Sequence, residues 1–154
     1  TAKLFAAACE VGAVVSEQPP STAAFLANFG LNFGISFQLV DDIIDYDATD
    51  SDIGKQVGDD FREGKVTLPV LLAYIRGGRQ DQEFWKRTIE NGELCDGDLA
   101  CAISLMKKYA VLNDLRKRAG EYASAACKAL DGFPDSPERR SLIEATKFCA
   151  NRSY

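Results

Sequence analysis

The run from Ser21 to Asp47, STAAFLANFGLNFGISFQLVDDIIDYD, constrains this chain more than any other segment, because it has a helical period, unusual length, and apolar residues around most of its circumference. Pro19 and Pro20 break the chain before it and Ser21 is placed to cap it, so that about 26 helical residues would span roughly 39 Å. Phe25, Leu26, Phe29, Phe33, Ile35, Phe37, Leu39, Val40, Ile43 and Ile44 leave only a narrow polar stripe. A helix that apolar needs neighbours on several sides, which places it inside a helical bundle.

The stripe is acidic. With each residue advancing by about 100°, Asp45 and Gln38 fall within about 60° of Asp41, Asp42 lies about 100° away, and Gly34 and Gly30 continue the line. Carboxylates at i,i+4 repel, desolvation opposes their ionisation, and a helix C-terminus disfavours them further. The stripe therefore predicts an internal cavity with a bound cation, the alternative being an ordinary solvated acidic face near a helix end. Only hard oxygen ligands are on offer, and the chain has no histidine, so Mg²⁺ or a similar cation fits and zinc does not. Gly30 and Gly34 read equally as room for a bulky ligand or as a helix-packing seam. An EF-hand fails, because DYDATDSDIGKQ has Asp50 where glycine is needed and Gln56 where a bidentate glutamate is needed.

Elsewhere the pattern is helical almost throughout and shows no alternation of period two. Helices are expected from the first residue to about residue 16, from Leu68 to Gly77, and at about 80–91, 98–109, 111–130 and 137–150. The fold class is all-α, with one domain over 1–154. A helix is already running at Thr1 with no capping signal before it, so the chain is expected to be part of something larger.

Composition excludes several classes of function. The net charge of -5, from 23 acidic against 18 basic residues and with no basic block, argues against nucleic acid as a partner. The cysteines Cys9, Cys95, Cys101, Cys127 and Cys149 are odd in number and widely spaced, and read as buried small hydrophobes in a reducing compartment. There is no uninterrupted apolar stretch of about 18 residues and no signal-peptide pattern, so no transmembrane segment is expected and the location is expected to be cytoplasmic.

The segment after the long helix, GKQVGDDFREGK, adds Lys55 and Lys65 on a glycine-bearing loop. A diphosphate bridging a metal and these lysines would be satisfied from both sides. Together the two segments resemble the trans-type polyprenyl diphosphate synthases: FQxxDDxxD is matched by Phe37, Gln38, Asp41, Asp42 and Asp45. GKxxGxDxxEGKxTLP is matched by Gly54, Lys55, Gly58, Asp60, Glu63, Gly64, Lys65, Thr67, Leu68 and Pro69. TAKLFAAACEVGA resembles the family's KTAxLF helix entered at its Thr, and SLIEATKFCANRSY resembles the closing helix. The likeness to GKVTLPVLLA is greatest for octaprenyl-type enzymes.

The resemblance implies the C-terminal half of an isoprenoid-synthase bundle around a central cavity, without the first aspartate-rich motif. It implies Mg²⁺-dependent head-to-tail condensation of an allylic diphosphate with isopentenyl diphosphate, giving a long-chain polyprenyl diphosphate for a quinone tail. Asp41, Asp42 and Asp45 would hold metal. Lys55, Thr1 and Lys65 would bind the allylic diphosphate, Gln38 would orient the site, and Phe37 would offer an apolar face to the isoprenoid. A homodimer is expected from the family, and this half alone is expected to be inactive. The alternative is a non-catalytic diphosphate-binding partner subunit or a structural remnant.

Overall fold

The computed structural model describes residues 1–47 and 57–152, and the described regular elements are all helical. In chain order they are α1 (Ala2–Val15), α2 (Pro20–Ile44), α3 (Asp59–Arg62), α4 (Leu68–Arg76), α5 (Arg79–Trp85) with a π-helical turn at Lys86–Glu90, α6 (Asp98–Lys108), α7 (Val111–Ala129) and α8 (Pro137–Ala150). The chain forms two compact units, Thr1–Val40 with Arg116–Ser153, and Asp41–Leu115.

In the first unit, Phe29 of α2 is buried with Ala126 of α7 and with Leu130 just after that helix, and Cys9, Leu26, Phe33 and Ile143 pack around them. The apolar periodicity of α2 is used on several sides, as its composition demands. Its one deeply buried polar side chain in this unit, Ser36, donates to the Ala119 carbonyl at 2.9 Å, which removes the cost of burying the hydroxyl. Gly30 and Gly34 form a packing seam. A Cβ on Gly30 would run into the Phe5 carbonyl of α1, and one on Gly34 would stand 2.7 Å from the Ala2 Cα. These glycines make room for the backbone of α1. The Ser136 side chain accepts from Arg139 N–H at 3.2 Å and caps α8, with Pro137 in its first turn.

The second unit is built around Phe61, Phe84 and Trp85, whose rings meet edge-on or stacked at 5.1–6.4 Å between centroids. Arg87, in the π-helical turn, makes a two-pronged bond to Asp98 at 2.9 and 2.7 Å and a third bond to the Glu93 carbonyl at 2.6 Å. The Cys95 N–H donates to Asp98 at 2.7 Å. This network ties residues 91–97 to the start of α6.

Several expectations need correction. The long helix begins at Pro20, so Ser21 lies in its first turn and is not the cap; the fixed φ of proline suits the first helical position. At 25 residues with a mean hydropathy of 1.4 in its most apolar window, α2 is long and apolar enough by length and composition to cross a membrane, a test that the core helix of a bundle also passes. The cysteines are free thiols, but Cys95 and Cys101 are exposed, Cys9 and Cys127 are half-buried, and only Cys149 is buried. Cys95 sits in the loop before α6 and Cys101 on its solvent face, where spacing alone could not place them. The expected helix at 80–91 changes to a π-helical turn after Trp85.

Candidate active site

The acids sit where α2 ends, in the second unit. Asp42 and Asp45 are 5% and 4% exposed, and Asp41 is half-buried. The Asp45 N–H still donates to the Asp41 carbonyl at 3.2 Å, which continues the helical turn past Ile44. Asp45 then turns the chain: its carbonyl accepts from Gly58 N–H at 2.7 Å, and its Oδ2 accepts from Asp60 N–H at 3.1 Å. Gly58 has φ +84, a conformation that L side chains rarely adopt, so the tight return calls for glycine. The far end of the acidic loop is thereby held against the acids.

Lys65 joins them. Its Nζ donates to Asp60 Oδ1 at 2.9 Å, and its N–H donates to the Asp60 carbonyl at 2.9 Å. Its ammonium is held above the ordinary lysine range, first by that hydrogen bond to Asp60 and further by the charges of Asp42 and Asp41. The lysine is half exposed and sits in the field of the stripe. Arg62 pairs with Asp59 at 3.0 Å within α3.

Two residues of this unit were given no role by sequence reasoning, although Thr67 is a matched position of the motif. Tyr46 is 1% exposed and Thr67 is 8% exposed. Burial pushes the Tyr46 hydroxyl well above the usual phenol range, and Asp45, Asp60 and Asp42 push it further, while the Thr67 hydroxyl eases it back. Neither hydroxyl has a hydrogen-bond partner among the described residues. Asp60, so far only a matched position of the motif, is the direct partner of both Asp45 and Lys65.

Of the other expected site residues, Phe37, Gln38 and Thr1 belong to the first unit. The Phe37 ring packs on Phe5 at 5.6 Å between centroids, and the Arg152 guanidinium lies over it at 5.5 Å. Spacing gave Arg152 no role; the structure gives it a cation–π contact. Gln38 is half-buried in α2. Thr1 precedes α1 and is exposed, and its carbonyl accepts from Leu4 and Phe5 while its side chain makes no capping bond. Lys55 lies outside the described residues.

Among the described residues no three His, Cys, Asp or Glu side chains form a closed metal cage. The donor set nevertheless suits a hard cation. Mg²⁺ keeps several waters and takes one or two carboxylates together with substrate phosphate, so buried aspartates beside a lysine fit it without a cage. A cavity of about 310 Å³ in the same unit, lined by Val66, Val70, Leu71, Tyr74, Trp85 and Ile89 among others, includes none of these acids.

Comparison with known proteins gives a consistent result. The family description "Polyprenyl synthetase" matches residues 1–106. The chain is 36% identical over 157 residues to octaprenyl diphosphate synthase of Haemophilus influenzae, covering 100% of this chain and 46% of that protein. A decaprenyl diphosphate synthase structure from Rhodobacter capsulatus superposes with a TM-score of 0.90 at 41% identity, over 97% of this chain and 46% of the other. A polyprenyl synthase from Caulobacter crescentus, solved with calcium and isoprenyl diphosphate, gives 0.89 at 42% identity, over 99% and 46%. The helical fold is that of the polyprenyl synthases, and the chain spans about half the length of the relatives it matches.

Proposed function

This chain belongs to the polyprenyl synthetase family, and on that premise we propose that it supplies the C-terminal half of a single prenyl-diphosphate-synthase domain. The reaction is head-to-tail condensation. The C–O bond of an allylic diphosphate breaks, the double bond of isopentenyl diphosphate attacks the resulting carbocation, and a proton is lost to the departing diphosphate. The product is a long-chain polyprenyl diphosphate of octaprenyl type.

The observation that carries this reading is the cluster at the end of α2, where Asp45 accepts the Asp60 N–H and the Lys65 ammonium pairs with Asp60. Opposed charges on one wall suit a ligand that carries both phosphate and metal. Asp41, Asp42 and Asp45 would hold Mg²⁺, and Mg²⁺ bound there supplies charge stabilisation to the leaving diphosphate. Lys65, Lys55 and Thr1 would bind the diphosphate, Gln38 would orient it, and the apolar face of Phe37 would border the isoprenoid. The calcium and isoprenyl diphosphate held by the Caulobacter relative support the same ligand chemistry.

Leu4, Val14 and Val15 of α1 are 75%, 61% and 72% exposed, and this apolar surface, with the half-length match to relatives, supports a half-domain reading. The chain alone then lacks a facing set of acids and does not turn over, and the whole enzyme is a cytoplasmic homodimer. The test is incubation with farnesyl diphosphate, labelled isopentenyl diphosphate and Mg²⁺. No elongation is expected from this chain alone, with elongation restored by adding the uncovered half of an octaprenyl-type relative. Robust turnover by the chain alone would refute the half-site reading. If neither turnover on complementation nor Mg²⁺-dependent pyrophosphate binding is found, the prenyltransferase reading fails.

A further inference from the structure

The outward face of α1 repeats every seven residues. Leu4, Ala7, Val11 and Val14 follow one another at steps of three and four, with Ala8 and Val15 beside them, so six apolar side chains share one stripe that no charge interrupts. Leu4, Val11, Val14 and Val15 are 75%, 55%, 61% and 72% exposed, and Ala7 and Ala8 are exposed with them. Lys3 and Glu10 lie along one margin of the stripe. The opposite face of α1 is already used. There Phe5 meets the rings of Phe33 and Phe37, the glycine seam of α2 takes the backbone at Ala2, Phe5 and Ala6, and Ala13 is 2% exposed. α1 is patterned for two neighbours, and the first unit supplies one of them.

We infer that this stripe docks one helix from the part of the synthase domain that the chain does not cover. The repeat describes its occupant: a helix with an apolar seam of its own, inclined about 20° to α1 at an axial distance of about 8–10 Å. Ala7 and Ala8 leave the hollow that larger side chains of that helix fill. Length argues for this occupant, because the match covers 46% of the Haemophilus enzyme and 46% of the Rhodobacter structure, so about as much chain again stands ready to cover the face. A second copy fits the stripe less well. The 14 residues of α1 make a strip about 21 Å long. Its six side chains fall short of the roughly 20–30 residues a side that a stable interface between separate copies takes. The inference rests on the half-domain reading given above and goes beyond it by naming the surface through which the two parts join.

The probe is the uncovered part of the Haemophilus octaprenyl diphosphate synthase, co-expressed with the tagged full chain, purified on it, and diluted in sedimentation runs to give a dissociation constant. Leu4→Lys and Val11→Lys should each weaken the complex about tenfold or more, as a charge buried in the centre of an interface does. Glu10→Lys, on the margin, should change it about fivefold or less. The three variants alone should keep the urea midpoint of the parent, since the side chains replaced are exposed; a clear drop for Leu4→Lys or Val11→Lys would place the stripe inside this chain's own packing and overturn the inference. Self-association of the chain alone that Val11→Lys abolishes would assign the stripe to a second copy and overturn it too. A parent complex that elongates farnesyl diphosphate, with Leu4→Lys and Val11→Lys complexes equally tight, would overturn the docking surface and leave the half-domain reading standing. A parent that forms no complex and gives no elongation would overturn both.

Discussion

The Asp45 carboxylate accepts the backbone N–H of Asp60 at 3.1 Å, so one acid of the stripe closes the first turn of α3. Its charge and its acceptor oxygen can be separated by substitution. Asp45→Ala removes both and should cost about 1 kcal/mol in urea unfolding, the usual value of a lost cap. Asp45→Asn keeps an acceptor and should unfold within a few tenths of a kcal/mol of the parent, while still losing Mg²⁺-dependent pyrophosphate affinity. Equal binding by parent and Asp45→Asn would remove Asp45 from the metal ligands.

The glycine seam gives a prediction of opposite signs. Gly30→Ala drives a methyl into the Phe5 carbonyl, a backbone atom that cannot swing aside, and should destabilise by about 1–3 kcal/mol. Gly120→Ala, inside α7 with open space where a Cβ would go, should stabilise by about 0.5–1 kcal/mol through helix propensity. Denaturant midpoints for the two variants check both signs.

Lys65 separates binding from stability. Its bond to Asp60 is half exposed, and such pairs contribute about 0–1 kcal/mol, so Lys65→Ala should unfold close to the parent. If the lysine binds diphosphate, the same variant should lose about tenfold in pyrophosphate affinity, the worth of one charge-assisted hydrogen bond. Unchanged affinity would reduce Lys65 to a loop tie.

Asp98 gives a pH dependence. The paired Arg87 guanidinium and then the Cys95 N–H hold its carboxyl below the ordinary 3.8. A carboxylate depressed in the folded state stabilises fully above its unfolded value, and that stability is lost as pH falls through the folded one. The gap in urea midpoint between parent and Asp98→Asn should therefore be constant above about pH 5 and narrow below about pH 4. Asp81, depressed by Tyr109 and Lys108, keeps part of the acid sensitivity in both proteins.

The long helix, the all-α class and the acidic stripe were legible from residues alone, because apolar periodicity and like-charge placement are local properties of one helix. The ends of α6, α7 and α8 were legible for the same reason, since Asp-Gly, Gly-Phe-Pro and Ser-Pro breaks act within a turn. Lys65 was found through its motif, and its pairing with Asp60 was not, because the bond joins the short helix α3 to the turn after it, and the start of α3 is held by Asp45. The π-helical turn also escaped, since the bonds that hold it run from Arg87 to Asp98, eleven residues away.

What only the tertiary structure decided concerns the neighbours of each face. A helical wheel gave Gly30 and Gly34 the same azimuth as the acids and left ligand space and helix seam equally open; the packing of α1 against them settled it as a seam. Tyr46 and Thr67 carried no periodic signal of their own, and their burial emerged only when distant turns were brought together. Periodicity states which residues share a face, but the partner of that face, and so the fate of each polar atom on it, is set by contacts that no single helix contains.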